Sequence, residues 1–385
     1  MSAWDRVYES RASQSVRRQI ASPEVPHAWL LLGPSGSGKR SAAMAMAAAL
    51  CCEVEPGRGC GECSSCSRIA RGRHPDVHHI APEGPIIPVD LIRDSVIPEA
   101  ARSPFESRRK VFIIEESERM NPFAQNALLK TLEEPQPDTV FVLISDREEE
   151  LLDTIRSRCR VVRLDAVPEQ QVIELLVKEG ASEETATLAA RLSDGDVELA
   201  RRLALDEAAI ARRWLFRGIP GRLRSPVDAF EAAAEVLAEA KDAVKAREQS
   251  QKAEIVALAE AMGEGRGTAG ARNALAKRHK RELRRLEDGV LGDALRSLAS
   301  FYRDVLATRS GGGDAIANLD LRDEIGSWAA RAAEDAALVA AIERCVSARS
   351  ALLRNANPQL TIEAALVELA RLVPPPTAAE VAWRG

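Results

Sequence analysis

Aromatic residues are scarce in this chain of 385 residues, since Phe, Trp and Tyr together make up 4% of it. Long apolar runs are missing too, because no stretch approaches the roughly 20 residues that a membrane helix needs. The first residues, MSAWDRVYES, lack the cationic flank and apolar segment of a secretory signal. We therefore expect a cytoplasmic protein with no membrane partner, whose helices pack through Ala and Leu.

A surplus of positive charge is also absent. The chain has 53 Lys plus Arg against 58 Asp plus Glu, which gives a net charge of -5. A protein that coats nucleic acid needs the opposite balance, so any DNA contact must be local. Hydrophobic residues make up 45% of the chain, which excludes disorder of the whole molecule, and its length predicts two or three domains.

The order of the apolar runs indicates the fold class. Short apolar runs alternate with helical patterns up to about residue 165, and this alternation is typical of a parallel sheet wrapped by helices. After Pro168 the pattern becomes a repeated Ala/Leu periodicity with charged faces, which predicts helix packed on helix. The chain is thus expected to be α/β first and all-α afterwards. The five runs are AWLLLG, DVHHIAP, KVFIIEE, TVFVLIS and CRVVRL.

Composition shifts predict the domain boundaries. A Gly/Pro-rich stretch that ends at Pro226 marks a hinge before the last helical region. Within that region the charged segment at about 240–288 predicts a solvated helical hairpin with its tip at GEGRGTAG. A DNA-touching surface is the weaker alternative, because acidic residues are interleaved and stacking aromatics are absent. The predicted division is 1–166, 167–218, 219–373 and an extended tail, 374–385.

The segment GPSGSGKR has the context of a phosphate-binding loop. It follows the apolar run AWLLL and precedes the helix-forming SAAMAMAAAL. Glycines let backbone amides converge on phosphate oxygens, and a lysine reaches the terminal phosphates. At the position where Ser or Thr ligates magnesium this chain has Arg40, which repels a cation. The candidate nucleotide-binding residues are Gly33, Gly36, Ser37, Gly38 and Lys39.

The second element of such a site is an apolar strand that ends in carboxylates. Here VFIIEE supplies Glu115 and Glu116, with Glu where Asp usually stands. The longer side chain moves the carboxylate outward by one methylene, and hydrolytic geometry tolerates little displacement. We therefore expect little ATP hydrolysis by this chain alone, and the sequence leaves open whether the loop binds ATP or ADP.

Five of the seven cysteines fall in a short window around the motif CxxCxxC at Cys60, Cys63 and Cys66. In a reducing compartment this clustering favours a metal over disulfides. Four thiolates and no open position make a structural zinc site, so we predict zinc within an insertion at 51–66. The predicted fourth ligand is Cys51, with Cys52 as the alternative. An iron–sulfur cluster and free thiols are the competing interpretations.

Several stretches together resemble one family. They are VPHAWLLLGPSGSGK, the cysteine insertion, NPFAQNALLKTLEEPQPDTVFVLISD and TIRSRCRVVRL. They resemble the bacterial DNA polymerase III clamp-loader subunits, and within that family the delta-prime subunits. The resemblance implies an AAA+ P-loop domain, a small helical lid and a C-terminal helical collar that oligomerises. It also implies that Ser157, Arg158 and Cys159 form the SRC motif, whose arginine enters the ATP site of a neighbouring subunit; the alternative is a local ion pair.

Departures from the family's ATP-hydrolysing motor subunits indicate which member is expected. Arg40 and the Glu115–Glu116 pair are two departures, and Glu198 stands near the place of the lid's phosphate-sensing arginine. The resemblance therefore implies a non-hydrolysing subunit with no independent catalysis. Its implied partners are the gamma/tau motor subunits, the delta subunit, the sliding clamp and primed DNA. The alternatives are a motor-type subunit and, less favoured, a zinc-dependent DNA-binding protein.

One further helix is predicted from Asn126 to Pro135. Apolar residues at helical spacing would pack on the sheet. Lys130, Glu133 and Glu134 lie largely on another face, where they can meet a partner or remain solvated.

Overall fold

A computed structural model describes residues 2–82, 86–262, 266–330, 334–354 and 356–375. The chain divides into two compact units. One comprises residues 1–179 and 193–200, and the other comprises 180–192 and 201–385. The dividing line therefore runs through the segment predicted to be a lid, and the predicted three-domain boundaries stay predictions. In the part of the chain that the structure describes, no helix combines the length and apolarity needed to cross a membrane.

The first unit is built on a five-stranded parallel sheet in the order β2-β3-β4-β1-β5. All five apolar runs form strands, so this part of the fold prediction is confirmed. The three inner strands are buried along their whole length because helices cover both faces of a parallel sheet, whereas the two edge strands, β2 and β5, are partly exposed. The strands are β1 (Ala28–Leu32), β2 (Val77–Ile80), β3 (Lys110–Ile114), β4 (Thr139–Ser145) and β5 (Arg160–Arg163).

Helices connect these strands and bury their apolar residues against the two faces. One face packs Trp29, Leu31 and Ile113 beneath an alanine-rich helix, and the other packs Leu30, Phe112 and neighbouring residues. A π-helical turn, Ile92–Val96, separates two of the short helices. The helices are α1 (Arg11–Ile20), α2 (Lys39–Cys51), α3 (Ser64–Ala70), α4 (Val89–Leu91), α5 (Ile97–Ala100), α6 (Pro122–Glu133), α7 (Asp153–Arg156) and α8 (Glu169–Lys178).

The remainder of the described chain is helical, which confirms the predicted change of fold class. Its main apolar core includes Phe216, Phe301, Tyr302 and Trp328, of which the last three rings meet edge to face. The helices are α9 (Glu183–Ser193), α10 (Val197–Leu205), α11 (Glu207–Arg217), α12 (Pro226–Met262), α13 (Arg266–Arg309), α14 (Arg322–Ala329), α15 (Asp335–Leu353) and α16 (Pro358–Leu372).

The predicted charged hairpin corresponds to the long helices α12 and α13, which pack against each other. Arg247 and Gln251 of α12 both reach the Glu282 carboxylate on α13, at 3.1 and 2.8 Å. Part of the predicted tip, 263–265, lies outside the described residues, as does the tail from residue 376 onward.

Candidate functional site

The phosphate loop lies between β1 and α2, as the sequence predicted. Gly36 and Gly38 have φ angles of 73° and 82°, which a residue with a Cβ adopts only with strain. Gly38 is also the residue that caps α2, so the loop turns directly into the helix N-terminus. The backbone therefore has the form of a phosphate-binding loop, and its chemistry depends on the side chains around it.

Lys39, the lysine of this loop, is engaged within the chain. Its ammonium donates to the carbonyls of Gly33 and Pro34, at 2.8 and 2.5 Å, and pairs with Asp146 Oδ1 at 2.9 Å. The side chain is only 5% exposed. Ser37 Oγ lies 3.4 Å away as a fourth contact, so the three N–H donors of the ammonium all have acceptors within the chain. Asp146 directly follows β4, the strand beside β1, which is why it reaches the loop.

Arg40 occupies the magnesium-ligand position and makes an ion pair there. Its Nε lies 2.9 Å from Glu115 Oε1, the first carboxylate after β3. His79 of β2 also places Nε2 2.6 Å from the same oxygen. The carboxylate that would assist a magnesium ion in a hydrolysing subunit is thus paired with a guanidinium. Glu116 has a left-handed backbone (φ 49°) and pairs with Arg119 instead.

Residues at the start of α10 cover the loop. The Asp196 carboxylate accepts from Ser35 Oγ at 3.3 Å, and the Val197 amide donates to the Gly36 carbonyl at 3.4 Å. A Cβ at Gly36 would lie 2.1 Å from Asp196 Cγ, so the glycine allows this close approach. A carboxylate at this place opposes a phosphate anion electrostatically. Glu198, the residue that the sequence singled out, is exposed two positions further along.

Four cysteine sulfurs converge at the end of α2. They belong to Cys52, Cys60, Cys63 and Cys66, and all lie within 4.8 Å of one another. The Cys52 sulfur is 3.6 Å from that of Cys60 and 3.9 Å from that of Cys63. Tetrahedral zinc with Zn–S bonds of about 2.3 Å requires sulfurs roughly 3.8 Å apart. The number, type and spacing of these donors therefore suit a zinc ion.

Cys51, the preferred first ligand of the sequence analysis, lies outside this cluster. Its thiol points to the Arg109 carbonyl at 3.3 Å, and burial raises its pKa to about 12. The reason is that α2 ends at Cys51, whereas Cys52 has an extended backbone that turns its side chain out of the helix and into the cluster. Cys52, the alternative ligand of the sequence analysis, is the residue whose sulfur lies in the cluster.

Backbone amides near the cluster donate hydrogen bonds that favour the deprotonated form of its cysteines. The amides of Glu55 and Cys60 donate to the Cys52 sulfur at 3.2 and 3.4 Å. The backbone at Glu62 and Cys63 lowers the pKa of Cys60 to about 7, whereas burial raises the pKa of Cys66. A divalent cation is the charge that would hold the buried thiol deprotonated.

The Ser-Arg-Cys loop lies between α7 and β5. Arg158 is one third exposed, and its guanidinium donates from Nε to Glu133 Oε1 at 2.6 Å and from Nη1 to the Thr154 carbonyl at 2.9 Å. Ser157 Oγ donates to Thr154 as well, at 3.2 Å. Cys159 packs against the core of the sheet, and burial raises its pKa to about 12, so it is a packing residue.

The segment that matches a known protein family lies within this first unit. Residues 8–168 match a family model described as DNA polymerase III, delta subunit. The delta-prime subunit of DNA polymerase III from Bacillus subtilis is 32% identical over 212 residues, which cover 54% of this chain and 64% of that protein. Its counterpart from Pseudomonas aeruginosa is 47% identical over 138 residues, 34% of this chain and 41% of that protein.

Over residues 8–168, the chain is thus similar to the delta-prime subunits of DNA polymerase III. The chain spans less than two thirds of the length of these relatives. The tau subunit of Bacillus subtilis is also similar, at 33% identity over 217 residues that cover 53% of this chain and 37% of that protein. The chain is thus similar both to delta-prime subunits and to a tau subunit.

Three residues that contact the phosphate loop or the carboxylates after β3 were not identified from the sequence. His79, Asp146 and Asp196 each contact a residue of the predicted nucleotide site or its second motif. His79 and Asp146 could have been identified from the sequence, because polar residues at the carboxyl ends of neighbouring parallel strands meet at one edge of the sheet. Asp196 had no such signal, since its approach depends on how the segment after α9 folds back.

Proposed function

We propose that this chain is the delta-prime subunit of a bacterial clamp loader, the assembly that loads a sliding clamp onto primed DNA during replication. In this role it supplies Arg158 to the ATP site of a neighbouring motor subunit and hydrolyses little or no ATP itself. One observation carries this choice over a motor subunit: both cations of its own phosphate loop, Lys39 and Arg40, are paired with carboxylates of the chain.

The trans role of Arg158 has a simple physical basis. Phosphoryl transfer spreads negative charge over the equatorial oxygens, and a guanidinium from outside stabilises that charge. Arg158 stands at the surface with a third of its side chain exposed. Its planar fork suits phosphate oxygens, which a lysine ammonium meets only as a point charge. Arginines of this kind contribute about 10³ to 10⁵ in rate where they have been measured.

Two further parts of the proposal concern cofactors. Zinc bound by Cys52, Cys60, Cys63 and Cys66 would stabilise the folded insertion after α2. Its role would be structural, because a site with four sulfur ligands has no open coordination position. The nucleotide loop, by contrast, meets two obstacles, the paired cations and the Asp196 carboxylate. The proposed function therefore requires no ATP or ADP at this chain's own loop.

The proposed partners are the gamma/tau motor subunits and the delta subunit, with the clamp and primed DNA engaged by the assembly in the cytoplasm. Similarity to the Bacillus subtilis tau subunit supports a shared module with the motors. The helical remainder would supply the collar of the assembly. A zinc-dependent DNA-binding protein is disfavoured because the net charge is -5.

The test is Arg158→Ala in the complex reconstituted with motor and delta subunits. We expect the variant to fold, retain metal and assemble as the unmodified chain does, while the DNA-stimulated ATPase falls severalfold or more. The loss is partial, because sites served by other arginines continue to work. Arg158→Lys should restore little of the activity.

Unaltered ATPase in a normally assembled Arg158→Ala complex would overturn the proposal. Robust ATP turnover by the isolated chain, abolished by Lys39→Ala, would establish the motor-type alternative instead.

A further inference from the structure

Glu133 holds the guanidinium of Arg158 from within the same chain. Its Oε1 accepts from Nε at 2.6 Å and also contacts Nη2, so one carboxylate engages one side of the planar fork. Nη1 is held separately by the Thr154 carbonyl at 2.9 Å. Contacts on two sides leave the end of the fork, between the two Nη atoms, facing away from the carboxylate.

The support for Glu133 is itself fixed. Glu133 is the last residue of α6, and the residue before it, Leu132, is fully buried. The carbonyl of Leu132 lies 2.9 Å from His27 Nε2, which ties the end of this helix to the start of β1. The carboxylate is therefore attached to a rigid part of the first unit.

The segment before Arg158 is tied to the same helix. Gln125 of α6 donates from Nε2 to the Glu150 carbonyl at 3.1 Å, and its Oε1 accepts from the Leu152 amide at 2.8 Å. Helix α7 begins directly afterwards and carries Thr154. The two groups that hold the guanidinium, one from each helix, thus keep a constant spacing.

We propose that Glu133 is a positioning residue for the trans-acting arginine: it pre-sets the Arg158 side chain in the orientation that a neighbouring ATP site requires. An arginine has many rotamers, and a free one must be ordered each time the neighbouring site reaches its transition state. A carboxylate on a rigid helix end orders it beforehand, which is the general advantage of a preorganised site. This inference rests on the proposed function.

The chain contains a matched control. Glu134 follows Glu133, has the same side chain and is likewise exposed. Its backbone amide donates to the Lys130 carbonyl at the end of α6.

The experiment compares Glu133→Ala, Glu133→Gln and Glu134→Ala with Arg158→Ala and the double variant Glu133→Ala/Arg158→Ala. Each full-length chain is assembled with motor and delta subunits, and kcat and KM for ATP are measured with primed DNA. Melting temperature and metal content of each chain check folding.

We expect Glu133→Ala to lower kcat about two- to fivefold, the range that an exposed ion pair supports, with KM nearly unchanged. Glu133→Gln, which keeps an acceptor oxygen without the charge, should lose less, and Glu134→Ala should match the unmodified chain. Because Glu133 acts through Arg158, the double variant should be no slower than Arg158→Ala alone.

Three results would overturn the inference while the proposed function stands. They are an unchanged or raised kcat for Glu133→Ala when Arg158→Ala is slow, an equal loss in Glu134→Ala, and an additional loss in the double variant. An unchanged kcat for Arg158→Ala would instead remove the proposed function and the inference together.

Discussion

The phosphate loop and the Ser-Arg-Cys loop both carry cations, but the two regions use them differently. In the phosphate loop Lys39 is 5% exposed and is held by two carbonyls and the Asp146 carboxylate. In the Ser-Arg-Cys loop Arg158 is a third exposed, and one carboxylate and one carbonyl hold its sides. The first cation has its donors satisfied inside the chain, whereas the second is presented at the surface.

This difference shows that a chain can keep the residues of a nucleotide-binding motif while its own side chains engage the groups that would bind the nucleotide. The phosphate loop keeps its glycines and its lysine, so its backbone still forms the phosphate-binding shape. Around it, carboxylates of the chain pair with Lys39 and Arg40 and accept from Ser35. A nucleotide or magnesium ion that binds at the loop would have to break those ion pairs. The free energy of the pairs would therefore reduce the free energy of binding.

The largest expected effect concerns the far end of α2, which runs from the phosphate loop to the cysteine cluster. If a metal rather than a nucleotide anchors this helix, Cys52→Ser should lose the metal and lower the free energy of unfolding by at least about 3 kcal/mol. Cys51→Ser is the matched control and should retain about one zinc per chain. Elemental analysis and chemical denaturation measure both.

Two outcomes would contradict this expectation. One is full zinc content in Cys52→Ser, and the other is metal-free protein that melts at the temperature of the loaded protein.

The second prediction compares the two cations directly through their contributions to folding. Lys39→Met should cost about 1 to 3 kcal/mol, because two partly buried carbonyls and the Asp146 carboxylate lose a charged donor. Arg158→Met should cost less than about 1 kcal/mol, since an exposed pair contributes little. Urea denaturation of the isolated chains gives both values. A larger loss for Arg158 would identify it as an internal structural residue.

The third prediction is a smaller gain in stability beside the loop. Glu118 is 8% exposed, and burial raises its pKa, with the charges of Asp146 and Glu116 adding to the effect. A carboxyl with a raised pKa in the folded state prefers to be protonated there. Its contribution to stability is therefore present at low pH and is lost as pH rises above the ordinary glutamate range.

Glu118→Gln removes this titration. We expect it to raise the free energy of unfolding at pH 7 by up to about 1 kcal/mol and to leave stability at pH 4 nearly unchanged. Denaturation at both pH values measures the difference. An equal gain at pH 4 and pH 7 would show that the carboxyl's charge is not the cause.

Much of this molecule follows from local sequence patterns. The three inner strands were predictable because they are apolar runs buried on both faces of a parallel sheet, and the two edge strands were predictable as short runs between helical patterns. The change to helices followed from periodicity. The loop between β1 and α2 was predictable from its glycines. Three of the four clustered cysteines were identified from spacing alone, because CxxCxxC turns the thiols to one point.

What the sequence could not predict depends on contacts between distant residues. The choice between Cys51 and Cys52 turns on the residue at which α2 ends, and helix ends are poorly defined by pattern. The Glu133–Arg158 pair joins residues 25 positions apart, and Ser35 meets Asp196 across 161 positions. Such pairs follow from the tertiary fold, and no local periodicity indicates them.

The smallest expected effect is the return of ordinary motif residues to the phosphate loop. Arg40→Thr with Glu115→Asp breaks the ion pair that replaces the magnesium site and supplies the usual ligands. Even so, we expect no measurable ATP turnover by the isolated double variant. Lys39 remains paired with Asp146, and Asp196 remains against Gly36, so two obstacles persist.

A further variant that adds Asp146→Asn and Asp196→Ala to the double variant tests this reasoning. If the two carboxylates exclude the nucleotide, binding should return in this variant and not in the double variant. Isothermal titration with ATP and magnesium measures binding, and phosphate release measures turnover. Hydrolysis by the double variant alone would show that Arg40 and Glu115 are the whole reason for inactivity, and that the phosphate loop is closer to the motor subunits than its buried lysine indicates.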